Sequence, residues 1–399
     1  IQNLESGDIV VELPRLLDNI RNIIEHTRKL GTRPRIMAKA FHASPVIADL
    51  YREAGADRFA CLFPHQAQAL AYAGFHNDIF ITQPLANDAV IAKIQYLIQQ
   101  AQANIKVIVD DFIFEKIAKA FGPQSGTKAD IVLKVDAGAH RLGVPIEDSG
   151  NLTEALNFAQ KCQKTFGDQL TGVLVYGGMA YEAGSREQLD DFAQHHQRLM
   201  QAFLERAKTR GIEFRDVMMG GTPTAMTAPS NGVFTEVITG SGTFLDLTSV
   251  QMHLARAQNC ALSIAACVTK IVERHRRVML DVGKNSLGDP LGPREGKITY
   301  GRVYADDTRT RFLPADIFIS RATAGVSKLS TVDQETMEML RQNPQRFVVP
   351  LRAEAALQDV GSAYVSVGNE IIGELVIPTK NEMRRIAATT IKMKKSAKR

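Results

Sequence analysis

Between residues 35 and 247 the chain alternates short apolar runs with longer stretches whose apolar positions recur every three or four residues. The short runs, at 35–40, 58–63, 78–83, 105–110, 130–136, 171–176, 216–219 and 236–239, read as buried strands. The longer ones, among them 64–73, 88–103, 111–121, 152–165 and 186–210, have the period of amphipathic helices. Ser44-Pro45 opens a further helix over 46–54, because proline at the first helical position costs no hydrogen bond. Strand and helix alternating eight times predict parallel strands, and eight such units predict closure into a (β/α)8 barrel of the TIM type. A helix over 16–30 precedes the first barrel strand.

After residue 255 the rhythm changes. Alternating runs at 261–272, 277–281, 297–305, 347–351, 363–367 and 370–377 lack helices between most of them. They predict an additional antiparallel β domain, with one helix inserted at 333–342. The strand-like segment 9–13 at the amino end can join that sheet. The fold class is therefore α/β, with a barrel over 14–255, a β domain formed by 1–13 and 256–383, and a basic tail over 384–399.

Composition adds little to this picture, but charge does. Of the net +5, the tail from Arg384 to Arg399 contributes seven positive charges and no negative ones, leaving −2 for everything before it. A solvated terminus accounts for such a tail, so neither nucleic acid nor a membrane is expected as a partner. No apolar stretch approaches the roughly 20 residues needed to cross a bilayer, and no charged-then-apolar leader precedes the first strand. Cys61, Cys162, Cys260 and Cys267 lie far apart with no CxxC spacing, as expected of reduced thiols in a cytoplasmic protein.

The chemistry gathers where strands end. Arg35-Ile-Met-Ala-Lys39-Ala-Phe puts a lone lysine at the carboxyl end of the first barrel strand, the end at which such barrels carry their active sites. A poorly hydrated lysine there can lose its proton and form a Schiff base. The fifth strand runs into Asp136-Ala-Gly-Ala-His140-Arg141, and the sixth into Tyr176-Gly-Gly-Met-Ala-Tyr181. The seventh ends Gly220-Gly221-Thr222-Pro223-Thr224 and the eighth Thr239-Gly240-Ser241-Gly242. Glycine lets backbone N–H groups approach a phosphate and hydroxyls complete the cage, at the two strands after which barrels bind phosphate.

These five segments together resemble the fold-type III pyridoxal phosphate enzymes, in the D-threonine aldolase and D-serine dehydratase branch of the alanine racemase-like group. The resemblance extends over roughly residues 8–255 and more loosely beyond. It implies pyridoxal 5′-phosphate as cofactor, held by Lys39, with Arg141 at the polar edge of its ring and Tyr181 nearby. Gly221, Thr222, Gly240 and Ser241 match the phosphate cradle, with Thr224 beside it. Lys39, Tyr181 and His140 are the candidates for proton transfer, and His42 is a further histidine in the neighbourhood. It also implies a small amino acid as substrate and a homodimer.

Two stretches depart from the family pattern. The branch binds a divalent metal through a His-x-Asp or His-x-Cys pair in the β domain, and the corresponding stretch here carries Arg352 and Glu354. No histidine follows His275 and no cysteine follows Cys267, so no metal is expected. The run Leu280-Asp-Val-Gly-Lys284-Asn-Ser-Leu-Gly288-Asp289-Pro290 is similar to an Asp-x-Gly…Lys…Ser…Asp run of the family with shortened spacing; it reads either as a β-hairpin loop or as a cover over the pocket. The resulting expectation is a lyase of aldolase or dehydratase type on a D-amino acid, working without the usual metal pair. An amino-acid racemase and a cofactor-binding protein without turnover remain alternatives.

Overall fold

A computed structural model describes residues 4–227, 232–288, 299–358, 360–379 and 382. The tail over 384–399 and the first residues of the predicted strand 297–305 lie outside them. The chain divides into two compact units. One comprises Asn22–Lys39 and Ala43–Gly240, and the other Ile1–Arg21, Ala40–His42 and Ser241–Thr379.

The first unit is a closed barrel. Its eight strands are Arg33–Met37, Phe59–Cys61, Ile79–Ile81, Ile105–Val109, Asp130–Asp136, Leu170–Tyr176, Asp216–Gly220 and Glu236–Thr239. Each pairs in parallel with the next, and the eighth returns to the first with Glu236 opposite Arg33 and Thr239 opposite Ile36. A two-residue strand, Val144–Pro145, adds to the fifth. Side chains such as Phe59, Phe80, Val107, Leu133 and Val173 are fully buried, as strands covered on both faces require. Helices Pro45–Glu53, Pro64–Tyr72, Asp88–Ala101, Phe114–Phe121, Ser149–Phe166 and Arg186–Thr209 connect the first seven strands. Asn87, Asp148 and Ser185 cap three of them by accepting backbone N–H bonds. The helix preceding the first strand spans Leu13–Lys29 and crosses the division between the units.

The first strand is shorter than its sequence predicts. Its ladder to the second strand stops at Met37, opposite Ala60, and Ala38–Phe41 turn into a 3₁₀ helix. Lys39 thus stands two residues past the strand, not on it. His42 and Ala43 follow with φ of 50° and 53°, a left-handed pair that bends the chain into the next helix.

The second unit is a mainly antiparallel sheet. Its long strand Leu262–Val272 pairs with Ile9–Glu12, with Arg277–Leu280 and with Gln345–Pro350. The amino-terminal strand also pairs in parallel with Ser362–Val367, which forms a hairpin with Glu370–Val376. Gly301–Val303 lies against Gln345–Pro350. Val10, Leu247, Ala265, Tyr304, Phe347 and Val349 form its core. A small hairpin of Ile319–Ala322 and Ser327–Leu329 was not predicted, because its strands are short and half polar. The inserted helix is Gln334–Gln342, capped by Asp333.

Candidate active site

The carboxyl-terminal end of the barrel collects the predicted residues on loops that buried side chains fix. At the end of the fifth strand, Asp136 is buried and accepts three backbone N–H bonds. Oδ1 takes those of Gly138 at 3.0 Å and Ala139 at 2.8 Å, and Oδ2 takes that of Arg141 at 2.9 Å. One carboxylate therefore ties down the whole turn that presents Arg141. Gly143 closes the turn with φ 104°, where a Cβ would sit 2.9 Å from the Lys134 carbonyl oxygen. Arg141 reaches back over the Tyr176 ring, with Cζ 5.9 Å from its centroid. His140, on the same turn, is 75% exposed and its Nδ1 lies 3.6 Å from Glu147 Oε2.

Beneath this turn lies a residue that sequence reasoning passed over. Lys134 is buried in the fifth strand, with Nζ 5.7 Å from the Tyr176 centroid. Burial pushes its amine down to about 7, Arg141 pushes it the same way, and Asp136 and Asp110 pull against them. The signal was present in Asp130-Ile-Val-Leu-Lys134-Val-Asp136. A strand's period of two puts Lys134 on the face of Asp136, and a charge in an otherwise apolar buried strand needs a reason.

The sixth, seventh and eighth strand ends lock together. Gly177 N donates to Gly220 O at 2.8 Å, and a Cβ on Gly177 would fall 2.5 Å from Thr224 Oγ1. Only glycine allows that approach. Tyr181 follows in the 3₁₀ turn Gly178–Glu182. Gly221 has φ 117°, a conformation that side chains rarely adopt. The Thr224 hydroxyl donates to the Gly221 carbonyl oxygen at 3.1 Å. Thr222 Oγ1 meets Thr239 Oγ1 at 3.1 Å and accepts from Gly240 N at 3.2 Å. The turns after strands seven and eight are therefore one hydrogen-bonded unit. Gly221, Thr222, Thr224 and Gly240 come together in it. Ser241 is the next residue in the chain and is half-buried.

The residues present suit a flat, anionic, carbonyl-bearing ring. An amine stands just past the first strand, a guanidinium and two phenols come from the fifth and sixth strand ends, and a hydrogen-bonded cradle lies at the last two, where a Cβ on Gly221 would sit 3.2 Å from Thr224 Oγ1. Such a barrel is that of a pyridoxal 5′-phosphate enzyme of fold type III. The chain belongs to the family described as alanine racemase, N-terminal domain, which its residues 11–248 match. It is 26% identical over 311 residues to D-threo-3-hydroxyaspartate dehydratase of Delftia sp. (strain HT23), covering 78% of this chain and 80% of that one. It is also 26% identical over 298 residues to D-threonine aldolase of Arthrobacter sp., covering 73% and 75%. The solved structure of the Delftia dehydratase superposes with a TM-score of 0.83 at 23% identity, over 94% of this chain and 98% of that one, which shows the fold. One solved mutant of that dehydratase is described as its metal-free form. The relatives are lyases, and racemase relatives are more distant. Among the described residues no helix is long and apolar enough to cross a membrane.

Proposed function

We propose that this protein is a pyridoxal-phosphate-dependent lyase acting on a small β-hydroxy D-amino acid, by aldol cleavage or by dehydration. The observation that carries the reading is the fixed pair of turns after strands seven and eight, facing the same barrel end as Lys39, in a chain alike to a dehydratase and an aldolase. Lys39 would hold the cofactor through its Nζ, and the same amine would serve as a base beside it. Gly221, Thr222, Gly240 and Ser241 hold the phosphate, and Thr224 keeps Gly221 in its left-handed conformation. When bound, pyridoxal phosphate draws electrons away from the substrate Cα. Arg141, fixed by Asp136, sets the charge at the polar edge of the ring. Tyr181 supplies the second proton-handling group, and His140 remains a surface residue paired with Glu147.

Exposed Phe112, Phe63 and Leu142, with Phe112 89% exposed, mark an apolar rim at this barrel end. It supports a homodimer in which a second copy covers the rim. The reduced, mostly buried cysteines support a cytoplasmic location.

Product analysis tests the activity. The holoenzyme is incubated with D-threonine, D-serine and D-threo-3-hydroxyaspartate. Glycine plus an aldehyde marks the aldolase, a keto acid plus ammonia the dehydratase. An inverted enantiomer alone, or no turnover of any of them, would reject the lyase reading in favour of a racemase or of a protein that only binds the cofactor. A second measurement concerns the cradle. Ser241→Asp sets a carboxylate against a phosphate of charge near −2, at a cost on the order of a few kcal/mol in a partly desolvated site. Cofactor occupancy after dialysis is expected to fall at least tenfold; unchanged occupancy would move the phosphate elsewhere.

A further inference from the structure

In the β unit, the turn Leu351–Glu354 is held from three directions. Asp246 Oδ2 accepts from Ala353 N at 3.2 Å, while Oδ1 accepts the N–H and the hydroxyl of Ser249, both at 3.0 Å. Thr248 donates to the Leu351 carbonyl from its backbone at 3.2 Å and from its hydroxyl at 2.7 Å. His42 Nε2 lies 3.0 Å from the Glu354 carbonyl oxygen. A carbonyl only accepts, so His42 Nε2 carries the proton there. Out of this turn Arg352 and Glu354 project as an ion pair through Arg352 Nη2 and Glu354 Oε1. Arg352 remains 37% exposed.

By resemblance this is the stretch at which the branch binds its divalent metal. The residues here do not fit one. A guanidinium stays protonated and has no lone pair to give. The Glu354 carboxylate is taken by Arg352, His42 Nε2 is a donor, and Asp246 is filled by three donors of its own chain. Burial also pushes the Asp246 carboxyl up to about 6, against those hydrogen bonds. Among the described residues, no three of His, Cys, Asp and Glu converge on a point that could hold a metal.

We propose that the Arg352–Glu354 ion pair stands at this turn in place of the divalent metal of the branch, so that the turn binds none. The Arg352 guanidinium donates to Glu354 through one nitrogen and makes no other hydrogen bond among the described residues, while the Arg352 carbonyl accepts from Ala355 and Ala356 N–H. An ion pair of this kind offers a metal neither a free carboxylate nor a lone pair, and a chelator leaves it untouched.

The test has a chelation arm and a titration arm, both on the holoenzyme. After dialysis against EDTA, elemental analysis is expected to find less than a stoichiometric amount of zinc or manganese, and turnover is expected to be unchanged. The double variant Arg352→His/Glu354→Cys restores two metal donors, and calorimetric titration with Zn²⁺ is expected to show one site that the parent lacks. A stoichiometric transition metal that survives EDTA, turnover lost on chelation and restored by metal, or a parent that already shows the Zn²⁺ site of the double variant would overturn the proposal. A parent that turns over no amino acid would instead overturn the lyase reading, and the zinc titration would still report on the site.

Discussion

Lys39→Ala is expected to fold as a barrel and to carry no cofactor that borohydride can fix to the chain. The wild-type protein under the same treatment is expected to gain the reduced cofactor's mass on the peptide that contains Lys39. The 3₁₀ turn Ala38–Phe41 puts this lysine just past the ladder that ends at Met37, at the barrel end where the Gly221–Gly240 cradle lies. Two other lysines are buried in the barrel and compete in principle. Lys106 is committed to Asp130 at 2.9 Å, with Asp78 and Asp216 each at 3.5 Å, at the opposite end. Lys134 is the serious rival, because its amine is pushed down to about 7 and is partly neutral near that pH. It is buried under the Arg141 turn, however, beside the Tyr176 ring. Peptide mapping separates the two. Label on Lys134 in the wild type, or label that survives Lys39→Ala, would sink the assignment, whereas Lys134→Met is expected to leave the Lys39 label intact.

How far the chain declared itself follows from where its information is local. The barrel strands were legible because each is a short apolar run that pairs on both sides, and helix starts such as Asn87, Asp148 and Ser185 are local signals as well. Strand ends were less legible. Nothing in Arg35-Ile-Met-Ala-Lys39 says that the ladder stops at Met37, since that is decided by where the second strand begins and ends. The hairpin of Ile319–Ala322 and Ser327–Leu329 failed for a similar reason: its strands owe their pairing to Arg277–Leu280, not to their own pattern. The glycine turns were legible as turns, but their union through Thr222, Thr239 and Gly240 was not. A hydroxyl's partner in a neighbouring loop leaves no trace in spacing. The relation between His42 and Glu354 joins residues more than three hundred positions apart and was likewise invisible.

The same limit hid the opposite end of the barrel, where one substitution is expected to cost the fold most. Glu236→Gln is expected to lower unfolding free energy by about 3–5 kcal/mol, the range for removing one partner from a buried ion pair. Arg35 and Glu236 are both fully buried, on the first and eighth strands that close the barrel. Glu236 accepts from Arg35 Nε, from Arg35 Nη2 at 3.2 Å and from Arg58 Nη1 at 3.2 Å. Asp78 takes Arg35 Nη1 at 2.9 Å and Arg58 Nη1 at 3.0 Å. Burial would push the Arg35 guanidinium down, but Glu236 and Asp78 turn that shift upward. Burial likewise pushes the Asp78 carboxyl up, yet Arg35, Lys106 and Arg58 hold it below its ordinary value of 3.8. Its folded-state pKa is therefore depressed. The stability it contributes is complete well above 3.8 and is lost as pH falls through that value toward the folded pKa. Glutamine keeps the shape of Glu236 but leaves two guanidinium groups sharing Asp78, one of them with no access to water. Replacing both partners, as in Arg35→Met/Glu236→Leu, removes the unpaired charge along with the pair and is expected to cost far less than the single change. Urea denaturation of the three proteins at pH 7 checks this. A Glu236→Gln variant within about 1 kcal/mol of wild type, or a double variant worse than the single, would mean that the buried network does not hold the barrel closed.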